Sequence, residues 1–359
     1  MKRALIAMSG GVDSSVAALL TQRQGYECIG ATMKLYENET AGISRGKTCC
    51  SLDDVEDARS VAYRLGMKFY VFNFKDEFRE NVIDRFVNSY LEGLTPNPCI
   101  DCNRFMKFGS LFGRAEILGC DHIVTGHYAR ITESGGKYYL RKAVDTGKDQ
   151  SYVLYDMTQS ELARTLLPLG EYTKDEVRAI AEENGFVNAR KHDSQDICFV
   201  LDGDYAGAIE RLCGVREQCG NFIRADGSVI SRHKGISHYT IGQRKGLGIS
   251  APEPLYVCDI DPVTRNVTLG SDSDLFSAQA AVGGVNWISG DIPDRPVRCR
   301  VKIRYRQPEQ PATVTPCPGG GADVTFDEPQ RAITPGQSAV FYDGDIVLGG
   351  GTIKRSSRF

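Results

Sequence analysis

Residues 4–14, Ala-Leu-Ile-Ala-Met-Ser-Gly-Gly-Val-Asp-Ser, constrain what this chain can fold into more than any other stretch. Ala4 to Met8 is an apolar run that reads as a buried strand, and Ser9-Gly10-Gly11 as a turn too tight for side chains. Ser14, Ser15 and Val16 then open a helix whose apolar face includes Val16, Leu19 and Leu20, and which Gly25 ends. A strand that runs through a glycine loop into a helix N-terminus collects unpaired N–H groups and the positive dipole end at one point. That is an anion site, most often for phosphate. Ser9 and Ser14 add hydroxyl donors, and Asp13 is the candidate to hold a magnesium ion between phosphate oxygens.

The loop is not a Walker loop. One near miss to that motif runs from Ala41 to Thr48, with Ala41 where the first glycine belongs and no clear helix following. Nor is the first loop Gly-x-Gly-x-x-Gly, which removes the main support for nicotinamide or flavin chemistry.

Strands are expected at 28–36, 68–74 and 121–126. Between them lie a helix that Ser51 caps, with Asp54 three residues on and Gly66 at its end, and a longer one carrying Phe78, Val82, Phe86 and Tyr90. Another, 103–118, carries Phe105, Phe108 and Phe112. Strands alternating with helices in this way make an α/β fold with a doubly wound parallel sheet. Ligands sit outside the carboxyl ends of such strands. Three segments converge there: the Ser9–Ser14 loop, the helix start after Cys99–Cys102, and Gly126-His127. Met33, near the end of the second strand, is placed for the adenine side.

Twelve cysteines spread over 359 residues, with no secretory pattern at Lys2-Arg3 and no run of membrane-spanning length, are expected to be reduced thiols of a cytoplasmic protein. Cys28, Cys120, Cys258 and Cys299 read as core residues. Cys99-x-x-Cys102, at a helix N-terminus, is by spacing a redox pair, half a zinc site or a nucleophile. Cys49-Cys50, adjacent in sequence, makes a poor second half of a zinc site. A nucleophilic thiol beside an ATP site uses both features. Cys198, in Asp193-Ser194-Gln195-Asp196-Ile197-Cys198-Phe199, lies among polar residues and reads as chemical rather than structural. Gly147-Lys148-Asp149-Gln150-Ser151-Tyr152 is a polar break before a helical stretch, and Thr173-x-x-Glu176 is a capping box for a helix ending at Gly185.

The pattern changes near Leu201. The expected division is a catalytic domain over 1–200, a small central β-rich domain over 201–273 and a C-terminal antiparallel β-barrel over 274–359. The central segment opens with a short helix, 205–212, and carries Arg224, Arg232, Lys234, Arg244 and Lys245. A net charge of −3 does not announce a nucleic-acid partner. One strand does: Arg298, Arg300, Lys302, Arg304 and Arg306 alternate with apolar residues and so fall on one face, at ~6.6 Å spacing.

Ser9-Gly10-Gly11-Val12-Asp13-Ser14 resembles the PP-loop of ATP pyrophosphatases, which cleave ATP to AMP and pyrophosphate. Further motifs follow in order: Thr95-Pro96-Asn97-Pro98 with Cys102-Asn103, Thr125-Gly126-His127-Tyr128-Ala129, Lys148-Asp149-Gln150-Ser151, Ser194 to Phe199, and Tyr239 to Gly248. Together they resemble the bacterial tRNA-specific 2-thiouridylase family along essentially the whole chain. The resemblance implies 2-thiolation of the wobble uridine in tRNAs for Lys, Glu and Gln, with ATP and Mg2+. It implies nucleotide contacts at Ala7, Met8, Ser9, Gly10, Gly11, Val12, Asp13, Ser14, Met33 and Gly126. It implies tRNA contacts at Asn97, Pro98, Cys99, His127, Lys148, Asp149, Gln150, Arg304, Tyr305 and Gln337, and against the central domain.

By the same resemblance Cys198 carries a persulfide from a sulfur-relay protein and Cys102 is the nucleophile, with a transient Cys102–Cys198 disulfide to be reduced. Without tRNA the two are expected unbridged, more than about 7 Å apart between Cα atoms. Many family members have aspartate where this chain has Cys99. Cys99, Cys102 and Cys198 would also supply three ligands for an iron–sulfur cluster, a mechanistic alternative. Two other readings of the chain are an amidating ATP pyrophosphatase and a non-catalytic RNA-binding protein whose cysteines ligate metal.

Overall fold

Leu5 and Ile123 pack on one face of a parallel sheet, and Ala4, Ile6 and Val124 on the other. Strands covered on both faces are apolar throughout, which is why the first run shows no polar alternation. The computed structural model describes residues 1–36, 52–191, 197–200, 203–214 and 217–355. In chain order it begins with β1 (Arg3–Ala7), β2 (Glu27–Lys34), β3 (Lys68–Asn73), β4 (His122–Val124), β5 (Ala129–Ser134), β6 (Lys137–Lys142) and β7 (Thr165–Leu166). The first sheet has the order β3-β2-β1-β4-β7 with every pair parallel. The strand order reverses between β1 and β4, so the crevice at their carboxyl ends is the topological switch point of the sheet.

Two helices start earlier than the sequence pattern indicates. The first is Val12–Arg23, with Gly11 at its N-cap, so Asp13 and Ser14 lie inside its first turn. The helix bearing the thiols begins at Pro98 rather than at residue 103, because the Asn97 side chain accepts from the Cys99 N–H and Pro98 takes the first helical position. It continues to residue 117, with wide π-type turns over Cys102–Ser110. The expected Ser51 cap, Cys49-Cys50 and the Ala41–Thr48 near miss lie outside the described residues, and the helix after them is Leu52–Arg64. The Thr173–Glu176 capping box is present and opens Lys174–Glu183.

The middle of the chain supplies β8 (Gly220–Ile223), β9 (Val229–His233), β10 (Tyr256–Asp261) and β11 (Asn266–Gly270), paired in the order β10-β11-β8-β9. Phe222, Tyr239, Val257 and Val267 fill its core. The last strands are β12 (Phe276–Trp287), β13 (Val297–Lys302), β14 (Gln310–Cys317), β15 (Gly321–Arg331), β16 (Ser338–Asp343) and β17 (Ile346–Ile353). Antiparallel pairing in the order β12-β15-β14-β13-β16-β17, closed by β12 on β17, makes a barrel. The β5–β6 hairpin, although it follows β4 of the first sheet directly in the chain, joins this sheet through Ile346 and Arg141. Arg130 and Arg141 both donate to the Asp345 carboxylate at 2.9 and 2.7 Å and fix that junction.

Candidate active site

The loop after β1 is shaped by its own side chains. Ser14 Oγ donates to the Gly11 carbonyl at 3.0 Å and accepts from the Ser9 N–H at 3.2 Å. Gly10 has φ +76°, and a Cβ there would lie 2.3 Å from the Asp54 carbonyl oxygen. Only glycine lets the loop pass this close to the Leu52–Arg64 helix. The Ser9 side is exposed while Met8, Gly10, Val12 and Ser14 are buried and Ala7 is half-buried. No side chain caps Gly11, and the first-turn N–H groups have no partner within the helix. An exposed mouth lined by such donors suits a phosphate.

Gly126, after β4, closes the other side. A Cβ on it would be 2.9 Å from both the Asp13 carbonyl carbon and the Ser14 nitrogen. His127 is buried, with Nδ1 2.8 Å from Thr125 Oγ1 and Nε2 3.2 Å from Lys107 Nζ. An ammonium only donates, so Nε2 accepts and the ring proton sits on Nδ1, donated to Thr125. Burial, with the Lys107 charge added, holds this imidazole well below its ordinary pKa, so it is neutral. The imidazole thus serves the interior, not a surface that RNA would meet.

Asp13 does not match a magnesium ligand. Lys174 Nζ lies 2.8 Å from each of its oxygens, and Tyr128 Oη donates to Oδ1 at 2.8 Å. A metal ion at that carboxylate would face a buried ammonium, so no metal step is assigned to Asp13.

Cys99 is exposed, and Cys102 and Cys198 are half-buried. The helix shift changes the dipole argument. Cys102 sits a full turn in, with its N–H bonded back to Cys99 and Pro98, and dipole stabilisation fades within the first turn, so Cys99 receives more of it. Cys102, Cys198 and Met33 pack on one apolar cluster, whose core includes Phe78, Phe86 and Phe199. Phe199 meets Phe78 and Phe86 edge-on at 5.9 and 5.2 Å, and Tyr36 Oη donates to the Cys198 carbonyl at 2.9 Å. These contacts hold the Cys198 backbone beside the end of β2. Among the described residues no three Cys, His, Asp or Glu side chains converge as a metal site.

Three family models match successive parts of the chain: "tRNA methyl transferase HUP domain" over residues 2–202, "tRNA methyl transferase PRC-barrel domain" over 211–271 and "Aminomethyltransferase beta-barrel domain" over 277–353. The tRNA-specific 2-thiouridylase of Thermoanaerobacter sp. (strain X514) is 51% identical over 361 residues, covering 99% of each chain. That of Clostridioides difficile (strain 630) is 50% identical over 357 residues, again 99% of each. The chain belongs to the tRNA-specific 2-thiouridylase family. A solved 4-thiouridine synthetase–RNA complex with bound ATP overlaps 55% of this chain and 44% of its own, at 20% identity and a TM-score of 0.37, and bears on nothing further.

The family's expected RNA-facing residues separate by environment. Asp149 accepts from the Ala143 N–H at 3.0 Å and from Ser151 Oγ at 2.8 Å, and Gln150 Oε1 accepts from the Tyr128 N–H at 2.9 Å. Both shape the loop from within, and Lys148 beside them is half-buried. Pro98 is buried, and Asn97 is engaged as the cap. Tyr305 stays exposed, its hydroxyl 3.3 Å from the Asp149 carbonyl. The basic strand departs from expectation. β13 ends at Lys302; Arg298 pairs with Asp327, and Arg300 and Lys142 both reach Glu309. Arg304 turns inward to the Ile241 and Ala332 carbonyls at 3.2 and 2.9 Å. Of its alternating cations, Arg298 and Arg300 are paired with carboxylates, Lys302 and Arg304 are half-buried and Arg306 is exposed, whereas Arg224, Arg232, Lys234, Arg244 and Lys245 of the central segment are all exposed.

Sequence reasoning missed Lys107, Lys174, Asn188 and Lys191. Asn188 Nδ2 donates to the Gly10 carbonyl and to Ser15 Oγ, each at 2.9 Å, and Lys191 bridges Asp54 and Asp57 at 2.6 and 2.7 Å. These two pin the segment leading to Cys198 onto the anion loop and its neighbouring helix. Lys174 had one legible signal: a cation in the first turn of a helix opposes the dipole and needs another reason to be there.

Proposed function

We propose that the chain is an ATP-dependent tRNA sulfurtransferase that replaces O2 of the wobble uridine by sulfur, in tRNAs for Lys, Glu and Gln. One observation carries this: Cys102 and Cys198 pack on the same cluster as Met33, at the edge of the sheet where the anion loop opens. The names of relatives about half identical over their full length support the substrate class.

The chemistry follows from the leaving group. Uridine O2 departs poorly as oxide, so its attack on the α-phosphate of ATP, with loss of pyrophosphate, turns it into the oxygen of AMP. A persulfide on Cys198, loaded by a donor protein, attacks C2 through its terminal sulfur, and AMP leaves. The Cys102 thiolate then attacks the Cys198 sulfur. The S–S bond breaks, C2 keeps its sulfur, and a Cys102–Cys198 disulfide remains for a two-electron thiol reductant. Hydrosulfide released first and then attacking C2 gives the same products. Thiols that must be re-reduced suit a reducing compartment, in keeping with a cytoplasmic enzyme.

The test is the purified chain with unmodified tRNA, ATP and a persulfide source, with the nucleosides of the digested tRNA identified by mass spectrometry. 2-Thiouridine that requires ATP supports the reading. Its absence with wild-type protein, or its formation without ATP, contradicts it.

A further inference from the structure

We propose that two copies of this chain pair through β3, edge to edge and antiparallel, about a two-fold axis at Val71. β3 is the outer strand of the parallel sheet. Two bonds fix the direction of its backbone groups. The Met8 N–H donates to the Ala31 carbonyl, which turns Ala31 toward β1, and the Phe74 N–H donates to the Lys34 carbonyl. Backbone groups of successive residues face opposite sides of a strand. Lys68, Tyr70 and Phe72 therefore bond to β2, and Phe69, Val71 and Asn73 point their N–H and C=O groups outward, with no backbone partner among the described residues.

Among the described residues, every other sheet edge carries a device against such pairing. β7 is two residues long, the pairings of β9 and β10 are bulged, β5 bears Arg130 and Glu133, and the barrel closes on itself. β3 runs six residues against β2 without a bulge or a proline, its one charge, Lys68, at the end. Its middle is apolar and open: Tyr70 is 39% and Val71 43% exposed. The occupant is a second copy because the edge is self-complementary. An axis at Val71 is the register that engages all three outward residues, Val71 with the partner's Val71 and Phe69 with the partner's Asn73. It sets Tyr70 opposite the partner's Phe72 in a non-hydrogen-bonded pair, where side chains come closest, and so extends the Tyr70–Phe72 stack already on that face at 6.2 Å. The two Lys68 side chains fall ~20 Å apart along the strands. The barrel hairpin follows β4, on the far side of β1 from β3. Antiparallel pairing points the carboxyl ends of the two sheets in opposite directions, so each chain keeps its own anion loop open.

Sedimentation equilibrium of the full chain from about 1 to 100 µM, with hydrogen exchange read residue by residue at both ends of that range, tests this. The expected result is a dimer at the upper end, in which the Phe69, Val71 and Asn73 amides exchange about tenfold or more slowly than in the monomer. The Tyr70 and Phe72 amides, bonded to β2 in either state, are expected to change less than about twofold. Val71→Lys sets two ammonium groups face to face on the axis. Val71→Pro removes the donor there without touching β2, since the Val71 N–H points outward. Both variants are expected to stay monomeric at about 100 µM. A wild-type chain that is monomeric throughout overturns the proposal. So does a dimer whose Phe69, Val71 and Asn73 amides exchange as fast as in the monomer, or one that both variants still form, because it would join elsewhere. The wild-type exchange pattern stands as a test even if a variant does not fold.

Discussion

The side-chain amide of Gln337, in the C-terminal barrel, donates to the backbone carbonyl of Thr95 at 2.7 Å across 242 residues of sequence. The Thr95 N–H returns a bond to the Pro335 carbonyl at 2.9 Å. Between them Gly336, at φ +90°, lies so close that a Cβ would sit 2.8 Å from the Thr95 nitrogen. Two residues after Thr95, Asn97 caps the helix that carries Cys102. The barrel thus grips the entry to the thiol helix, and Gln337 acts through Thr95 as a positioning residue.

Replacing Gln337 with alanine should therefore slow sulfur transfer about tenfold while leaving the KM for ATP unchanged, since displacement of a reacting group by a fraction of an ångström affects only the step it performs. Steady-state thiolation at varied ATP measures the split. A rise in the KM for ATP with kcat intact would place Gln337 elsewhere in the reaction.

Gly126→Ala should act on the other half of the site. Its Cβ would meet backbone atoms of Asp13 and Ser14, which cannot yield as a flexible side chain can. The loop must shift, and ATP-dependent turnover should fall about a hundredfold. The circular dichroism spectrum should remain native, since Gly126 lies at the mouth of the sheet rather than in its core.

His127 makes stability depend on pH with a definite sign. Its folded pKa is depressed by burial and by Lys107, so below about pH 6.5 the unfolded chain binds a proton that the folded chain does not. Its stabilising contribution is present above that value and is lost as pH falls toward the folded pKa, at up to about 1.4 kcal/mol per pH unit. His233, depressed by its own burial, adds in the same direction. Urea unfolding between pH 7 and 5 should give a shallower slope for His127→Gln than for wild type. Equal slopes would show that the imidazole is protonated in the fold.

Arg304→Met should cost about 2–3 kcal/mol, because it leaves the Ile241 and Ala332 carbonyls and the Thr334 hydroxyl without their shared donor. Urea midpoints at fixed pH measure it. A change near zero would return Arg304 to a surface role.

The parallel sheet was legible because β1 and β2 are largely apolar, with Gly10-Gly11 after the first and Gly25 before the second. The anion loop was legible because Gly10 and Gly11 precede a helical stretch. The start of the thiol helix was not, since the Asn97 cap and Pro98 compete with the Thr95-Pro96-Asn97-Pro98 reading of an extended loop. The allegiance of β5 and β6 depends on Arg130 and Arg141 meeting Asp345, more than 200 residues away, which no local pattern encodes. The basic strand misled for the same reason. Alternation correctly put Arg298 and Arg300 on one face, but Asp327 and Glu309, which neutralise them, come from elsewhere in the barrel. Lys174 and Asp13 likewise meet only in three dimensions.

The central claim is that sulfur passes from Cys198 to an adenylated uridine and leaves Cys102 bonded to Cys198. A single turnover without reductant tests it most directly, using persulfide-loaded protein, unmodified tRNA and ATP, with protein and nucleosides both read by mass spectrometry. The account predicts one Cys102–Cys198 disulfide for each 2-thiouridine formed, and neither product from Cys198→Ser. 2-Thiouridine made by Cys198→Ser at the wild-type rate, or formed in wild type with both thiols left free, would contradict it.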